Sequence, residues 1–239
     1  MSARPTPSKL PREFYTRRGV LTVARELLGQ RLVVPSRDGR RVAGIIVETE
    51  AYRGPADRAS HAYGGRRTKR TDTMYRIGGT AYVYFVYGMH YQFNVVTGIE
   101  DVPHAILVRA LEPVEGIDIM ARRRDVAGLH LTSGPGKLCA ALGIDRGLDG
   151  ADLTGDRIWI EPGERNVPPS AVARGPRIGI DYAGVWAAHP WRFWIRGNPF
   201  VSRRQGARSA SRRAAEELAG RRAARSSAIG RSAPSVASR

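Results

Sequence analysis

Cysteine occurs once in 239 residues, as Cys139. A single thiol cannot close an intramolecular disulfide or supply a multi-cysteine zinc site, so disulfide-scaffold and zinc-finger readings are excluded. No apolar run approaches the length of a membrane span. Met1 to Leu10 has no apolar centre, so it does not read as a secretory signal. A soluble intracellular protein is the default expectation, with no membrane partner. The five histidines (His61, His90, His104, His130, His189) show no HExxH or HxE…PCxxC spacing. No metal site is therefore expected, and a zinc deaminase is disfavoured. There is no Walker A motif and no GxGxxG, which argues against NTP hydrolysis and a dinucleotide cofactor. No cofactor of any kind is expected. Acidic residues are also scarce: 22 against 39 basic, a net charge of +17. That imbalance points to a polyanionic partner, most often nucleic acid.

What is present is a core-forming composition, 42% hydrophobic, which argues against wholesale disorder. Only Lys9, Lys69 and Lys137 are lysines; the other basic residues are arginine, a bias that a GC-rich genome produces without functional cause. The charge is uneven. From Arg203 onward the chain is almost entirely Arg, Ala, Ser and Gly. It cannot bury much and reads as a disordered basic tail, either a solvated extension or a non-specific nucleic-acid arm. The boundaries fall at an N-terminal extension over 1–12, a domain over 13–204 and the tail over 205–239.

The middle reads as one α/β unit. Helical spacing runs from Val20 to Leu28, with Gly29 as a stop. Arg31–Pro35 and Val42–Tyr52 are strand-like and joined across Asp38-Gly39. Ala81–Tyr87 and Tyr91–Thr97 form a second pair around Gly88. Ala105–Leu111 is a strand, Glu115–Arg124 a helix, and Lys137–Leu142 a short helix after a Gly-Pro-Gly turn. Arg157–Glu161, Arg177–Ile180 and Arg192–Ile195 are expected as late short strands.

Two stretches could carry chemistry. In Ile45 to His61 (IIVETEAYRGPADRASH), strand alternation puts Glu48, Glu50 and Tyr52 on one face. A carboxylate there can take a proton from water or stabilise a developing positive charge, and a ring beside it can stack on a planar substrate. Spacing alone favours the plainer reading, a half-exposed strand with its glutamates in solvent. In Tyr75 to Asn94 (YRIGGTAYVYFVYGMHYQFN), Tyr82 and Tyr84 share a face, and Tyr87, Gly88 and Met89 fall at a turn from which a side chain could wedge between base pairs. The plainer reading is an aromatic hairpin packed in a core. The basic segment Arg66, Arg67, Lys69 and Arg70 beside it lifts the nucleic-acid reading. Gly134-Pro135-Gly136-Lys137 could hold a phosphate on backbone N–H groups. Cys139 reads as packing.

These residues resemble the 3-methyladenine (alkyladenine, methylpurine-type) DNA glycosylases. The resemblance rests on ARELLG, VETEAY, His61, TKRTDTM, YVY…YGMHY, LVRALEP, SGPGKLCAALGI and PRIGIDYAG…RFWIRGNPFVS, in family order from Phe14 to Ser202. It implies a mixed α/β (α+β) single domain with a curved antiparallel β-sheet flanked by helices. It implies a monofunctional enzyme, without metal or nucleotide cofactor, that works as a monomer on double-stranded DNA containing damaged purines. It implies base flipping and hydrolysis of the N-glycosidic bond to leave an abasic site. Glu50 would be the general base. Arg109 and the main-chain carbonyl of Ile178 would hold its water. Tyr52, His61, Tyr84 and Asn94 would enclose the flipped base, with Tyr87 as wedge and Met89 beside it. Arg66 and Arg70 would contact the DNA backbone, and Lys137 would contact phosphate or serve the fold. Such an enzyme would work in the nucleoid-bearing cytoplasm of a prokaryote or the nucleus of a eukaryote. Arg53 and Val185 depart from the family pattern, which commonly has an apolar and an acidic residue there. Two other readings compete. One is a non-catalytic nucleic-acid-binding protein using the tail and the hairpin; the other is a hydrolase of free nucleosides, which has less need of the charge.

Overall fold

A long β-branched run, RVAGIIVETEAY, organises the molecule as strand β2. The computed structural model describes residues 9–17, 19–164 and 166–202. The expected basic tail lies outside them. In chain order come α1 (Arg12–Thr16), α2 (Val20–Glu26), β1 (Arg31–Pro35), β2 (Arg41–Tyr52), β3 (Ala81–Val86), β4 (His90–Thr97) and β5 (His104–Glu115). Then follow α3 (Ile117–Arg124), α4 (Pro135–Leu142), β6 (Trp159–Glu161), β7 (Val172–Gly175) and β8 (Arg192–Ile195). The chain is already attached before α1: the Leu10 N–H donates to the Ile160 carbonyl at 2.8 Å.

The strands form one curved, mixed-order antiparallel sheet in the sequence β3-β4-β5-β2-β1-β6, with β8 added to β2 and β7 to β8. β2 is long enough to pair β1 along its first half and β8 along its second, with β5 on its other edge. At Gly44 a Cβ would sit 2.9 Å from the Leu111 Cβ, so the close approach of β2 to β5 requires glycine. Register shifts flank Glu48, where Val47 on β2 and Arg109 on β5 are each extra residues. Bulges of this kind re-aim side chains.

Alternation divides the sheet into two faces. One buries Val83, Phe93, Val95, Ile106, Val108 and Ala51 against the apolar sides of α2 and α4. Thr49 supports this face by donating its hydroxyl to the Ala24 carbonyl at 2.9 Å. Cys139 is buried in this core, and burial pushes its thiol well above the ordinary value, so it packs rather than reacts. The opposite face carries Tyr82, Val96 and Ala105 under Ala62, Met74 and Tyr75.

The expected strand over Arg177–Ile180 is not one. Pro176 has no N–H to give a ladder, and Gly179 has a φ of +77°, outside strand geometry. The late strand lies earlier, at β7. The residues 176–180 instead form an irregular segment whose polar groups bond to side chains.

Candidate functional site

A single row of residues crosses the second face. Pairing places Tyr82 opposite Asn94, Asn94 opposite Leu107, Leu107 opposite Glu50, and Glu50 opposite Arg192. Five strands thus deliver an aromatic ring, an amide, a carboxylate and a guanidinium to one line. Glu48 and Tyr52 flank Glu50 on the same face of β2, as alternation predicts.

Spacing had favoured glutamates in solvent; both are completely buried. Guanidinium groups from distant parts of the chain make this possible. Glu50 Oε1 accepts the Ile178 N–H at 2.7 Å and lies 3.3 Å from Arg109 Nη1. Its Oε2 accepts the Tyr52 hydroxyl at 2.9 Å. Glu48 Oε1 accepts from Arg109 Nε at 3.1 Å and from Arg192 Nη1 at 3.0 Å, and its Oε2 accepts the Ser202 N–H at 2.7 Å. Burial works against the Arg109 charge, but Glu50 and Glu48 outweigh it and hold the guanidinium above its ordinary pKa. A third pair completes the network. Arg177 donates to both oxygens of Asp57, at 2.5 and 2.9 Å, with both side chains fully buried. Three carboxylates therefore meet three guanidiniums, and no buried charge in this network lacks a counterpart.

The network also fixes a backbone segment. Arg192 Nε holds the Pro176 carbonyl at 2.9 Å, Asp57 holds Arg177, and Glu50 holds the Ile178 N–H. Three consecutive residues are thus each tied to a charged side chain. Arg177 reaches further, to the Ala51 carbonyl at 3.0 Å, and its guanidinium lies between the rings of Tyr52 and Trp191, 4.7 and 5.0 Å from their centres.

In front of Tyr52 and Ile178 lies a cavity of about 210 Å³. That is below the roughly 300–1,000 Å³ of a drug-sized site and fits one small planar group. Tyr52, His61, Tyr84, Asn94, Ile178, Tyr87 and Arg70 all line it. Glu50 does not; its carboxylate meets the wall through the Tyr52 hydroxyl and the Ile178 N–H, whose residues both line the cavity. His61 Nδ1 is 2.9 Å from the Tyr82 hydroxyl, and its ring meets that of Tyr84 edge-on at 4.6 Å. Burial, then the charges of Arg70 and Arg66, lower the His61 pKa to about 4, so the ring is neutral at pH 7. Burial also pushes Tyr82 up to about 12, and raises Tyr84 and Tyr52 further, Glu50 adding to the effect on both. The Tyr84 hydroxyl donates to Gln92 Oε1 at 2.5 Å, and Asn94 Nδ2 donates to the Tyr82 carbonyl at 3.2 Å.

The β3–β4 turn rises beside the cavity. Tyr87 has a φ of +55° and Gly88 of +67°. A left-handed tyrosine is uncommon, and such strain persists where the projection of the side chain matters. Tyr87 is 79% exposed and Met89 68%. Arg70 comes to the cavity wall, its guanidinium 5.2 Å from the Tyr84 ring centre. Arg66 is exposed nearby. Lys137 lies on α4, which packs on the opposite face of the sheet, so it is not brought to this cavity.

Sequence reasoning missed Asp57, Arg177 and Arg192 as members of the site, and Tyr182 as an exposed part of the cavity rim. Asp57 and Arg177 are 120 residues apart, and no spacing rule couples them. The only local signal was the charge of Arg177 beside Ile178 in an otherwise apolar run.

Together these parts define a protein that admits a flat group at a basic surface, between aromatic rings, with a buried carboxylate beneath. Comparison with known proteins gives the class a family. The methylpurine-DNA glycosylase family profile matches residues 13–199, and the chain belongs to that family. It is 46% identical over 203 residues to a protein of Desulfitobacterium hafniense (strain Y51), covering 81% of this chain and 98% of that one. It is 48% identical over 204 residues to one of Bacillus cereus (strain G9842), with coverage of 81% and 98%. A Clostridium acetobutylicum protein is 46% identical over 203 residues, with coverage of 81% and 97%. The names of all three describe a 3-methyladenine DNA glycosylase. The chain is a DNA glycosylase of the repair type directed at alkylated purines.

Proposed function

We propose that the protein flips a damaged purine out of duplex DNA into the cavity and hydrolyses its N-glycosidic bond with a water activated by Glu50. The observation that carries this reading is the position of Glu50. Its buried carboxylate is bonded to two residues of the cavity wall, through the Tyr52 hydroxyl and the Ile178 N–H. Cleavage develops oxocarbenium character on the sugar. A fixed carboxylate stabilises that charge and takes the proton of the attacking water. Arg109 keeps the carboxylate in place, and the Ile178 backbone is tied beside it, where its carbonyl can orient the same water. Tyr52 lies on one side of the base, with His61 and Tyr84 on the other. Tyr87 fills the space the base leaves in the stack, and Arg66 meets the DNA backbone. Unpairing costs less at a damaged base, which adds selectivity before the pocket is reached.

Among the described residues, no lysine lines the cavity. This supports hydrolysis to an abasic site over a Schiff-base route that also cuts the strand. The protein acts as a monomer on duplex DNA, in the compartment that holds the chromosome.

The test is single-turnover excision from labelled duplexes carrying ethenoadenine or hypoxanthine, and from methylated DNA, with alkali added to cut abasic sites. Wild type cleaves at the lesion; Glu50→Gln binds the same DNA and loses at least about 10²-fold in rate. Free nucleosides run in parallel stay intact. Wild-type binding with no base released from any duplex would leave a non-catalytic DNA-binding protein.

A further inference from the structure

Tyr182 has no part in the chemistry derived above, yet it stands at the cavity. Of the nine tyrosines, Tyr87 and Tyr182 are the most exposed, at 79% and 69%, and both line the cavity. They come from unrelated segments. Tyr87 sits in the β3–β4 turn, and Tyr182 follows the irregular segment that carries Ile178. The backbone around Tyr182 is anchored on both sides. Ile180 and Ala183 are buried against Ala59, and the Ala183 N–H donates to the Ile180 carbonyl at 2.9 Å. Gly179 and Gly184, with φ of +77° and +62°, turn the chain at either end. The outward direction of Tyr182 is therefore set by the backbone and gains little from burial of its own ring.

The hydroxyl is also loosely engaged. It reaches the Ala59 carbonyl, in the loop that carries His61, at 3.4 Å. An O–H···O bond usually measures about 2.5–3.0 Å, so a better acceptor displaces this contact at little cost. An exposed ring with a releasable donor at its tip suits a sugar and a phosphate together, since tyrosine hydroxyls are among the donors that phosphate oxygens accept. A flipped base brings both to this place. The base stays covalently joined to its deoxyribose, so when it lies among Tyr52, His61 and Tyr84 its sugar and flanking phosphates remain at the mouth.

Resting on the excision reading above, we propose that Tyr182 is a substrate-positioning residue that holds the sugar–phosphate of the everted nucleotide at the cavity mouth. Its ring lies against the deoxyribose, and its hydroxyl leaves Ala59 to donate to a flanking phosphate oxygen. Tyr87 then serves the stack the nucleotide has left, and Tyr182 serves the nucleotide that has left it. Such a hold acts on the backbone of whichever nucleotide is everted and needs no base.

That independence from the base supplies the test. Three duplexes share one sequence: one undamaged, one with a single ethenoadenine, and one with a tetrahydrofuran abasic analogue. Dissociation constants are measured at one fixed salt concentration, in a Glu50→Gln background so that the lesion persists. Tyr182→Ala is expected to weaken binding to both marked duplexes about tenfold, the loss that goes with truncating a covered aromatic contact. Affinity for undamaged duplex should stay within about twofold. Tyr182→Phe keeps the ring and is expected to lose about threefold on the marked duplexes alone, the factor one hydrogen bond carries. Tyr182 is exposed, so neither change should disturb the core; if Tyr182→Ala lowers the melting temperature, Tyr182→Phe decides. Unchanged affinities, an equal loss on all three duplexes, or a loss confined to ethenoadenine overturns the proposal. Base release by protein with Glu50 intact is scored in parallel. No release from the ethenoadenine duplex or from methylated DNA would overturn the excision reading, whereas release with unchanged affinities overturns this inference alone.

Discussion

Replacing Asp57 with asparagine swaps one oxygen for an amide and removes one charge, yet its consequences should be large. Each carboxylate oxygen accepts two donors. Oδ1 takes the Ala59 N–H at 3.0 Å and Arg177 Nη2 at 2.9 Å. Oδ2 takes the Arg53 N–H at 3.1 Å and Arg177 Nη1 at 2.5 Å. Whichever way the amide is turned, its NH₂ faces two donors, and Arg177 is left as a buried charge without a counterion. Removing one partner of such a pair costs about 3–5 kcal/mol. That is a large share of the roughly 5–15 kcal/mol of a typical domain. In urea unfolding the midpoint should fall by roughly 1–2 M with little change in slope. Catalysis should suffer as well, because Arg177 no longer anchors the backbone that carries Ile178 to Glu50. Single-turnover excision below the new melting range should slow by more than lesion-DNA affinity weakens. A double-mutant cycle isolates the pair. Once Arg177→Met has removed the cation, the further cost of Asp57→Asn should fall by at least about 2 kcal/mol. A loss under about 1 kcal/mol for Asp57→Asn, or strict additivity in the cycle, would refute the claim that this pair fixes the segment.

Two further outcomes follow from the cavity. His61 has its pKa lowered from 6.5 to about 4 in the folded protein. Between those values the unfolded chain binds a proton that the folded chain does not, so this residue's contribution is complete above pH 6.5 and is lost as pH falls toward 4. The difference bounds the effect at about 3 kcal/mol; His61→Gln should flatten the stability profile over that window by up to this amount, and parallel wild-type and variant profiles would contradict it. At the hairpin tip, Tyr87→Gly removes the wedge while relieving a left-handed φ, a relief of about 1–2 kcal/mol that glycine's own entropy of about 0.5–1 kcal/mol partly cancels. Thermal stability should hold or rise slightly while excision from duplex DNA falls and excision from single strands persists; equal losses on both substrates would deny Tyr87 a role in flipping.

Much of the scaffold was legible because its signals are local. The β-branched run of β1 and β2, the glycine at the β3–β4 turn and the Gly-Pro-Gly start of α4 each depend on neighbours a few residues away. The alternation that puts Glu48, Glu50 and Tyr52 on one face is likewise local, and the structure keeps it. Where reading failed, the cause was distant. Arg177–Ile180 looks like a strand by composition, but Pro176 and Gly179 prevent a ladder, and side chains from β2 and the loop after it take its hydrogen bonds. β5 runs four residues past Leu111, to Glu115, because β2 lies alongside to pair with it.

The amino-acid sequence by itself determined the family, most of the elements and several of the residues around the cavity, since motif order and side-chain period survive without coordinates. Tertiary structure alone decided the state of the two glutamates. A carboxylate in a strand stays in water unless cations come to meet it, and here Arg109 and Arg192 arrive from 61 and 144 residues away from Glu48. Their convergence turns an apparently solvated strand edge into a buried, charge-balanced floor beneath a base-sized cavity. Desolvation makes an unpaired charge there costly, so the position of each member depends on all the others, and that dependence is not written in any one stretch of the chain.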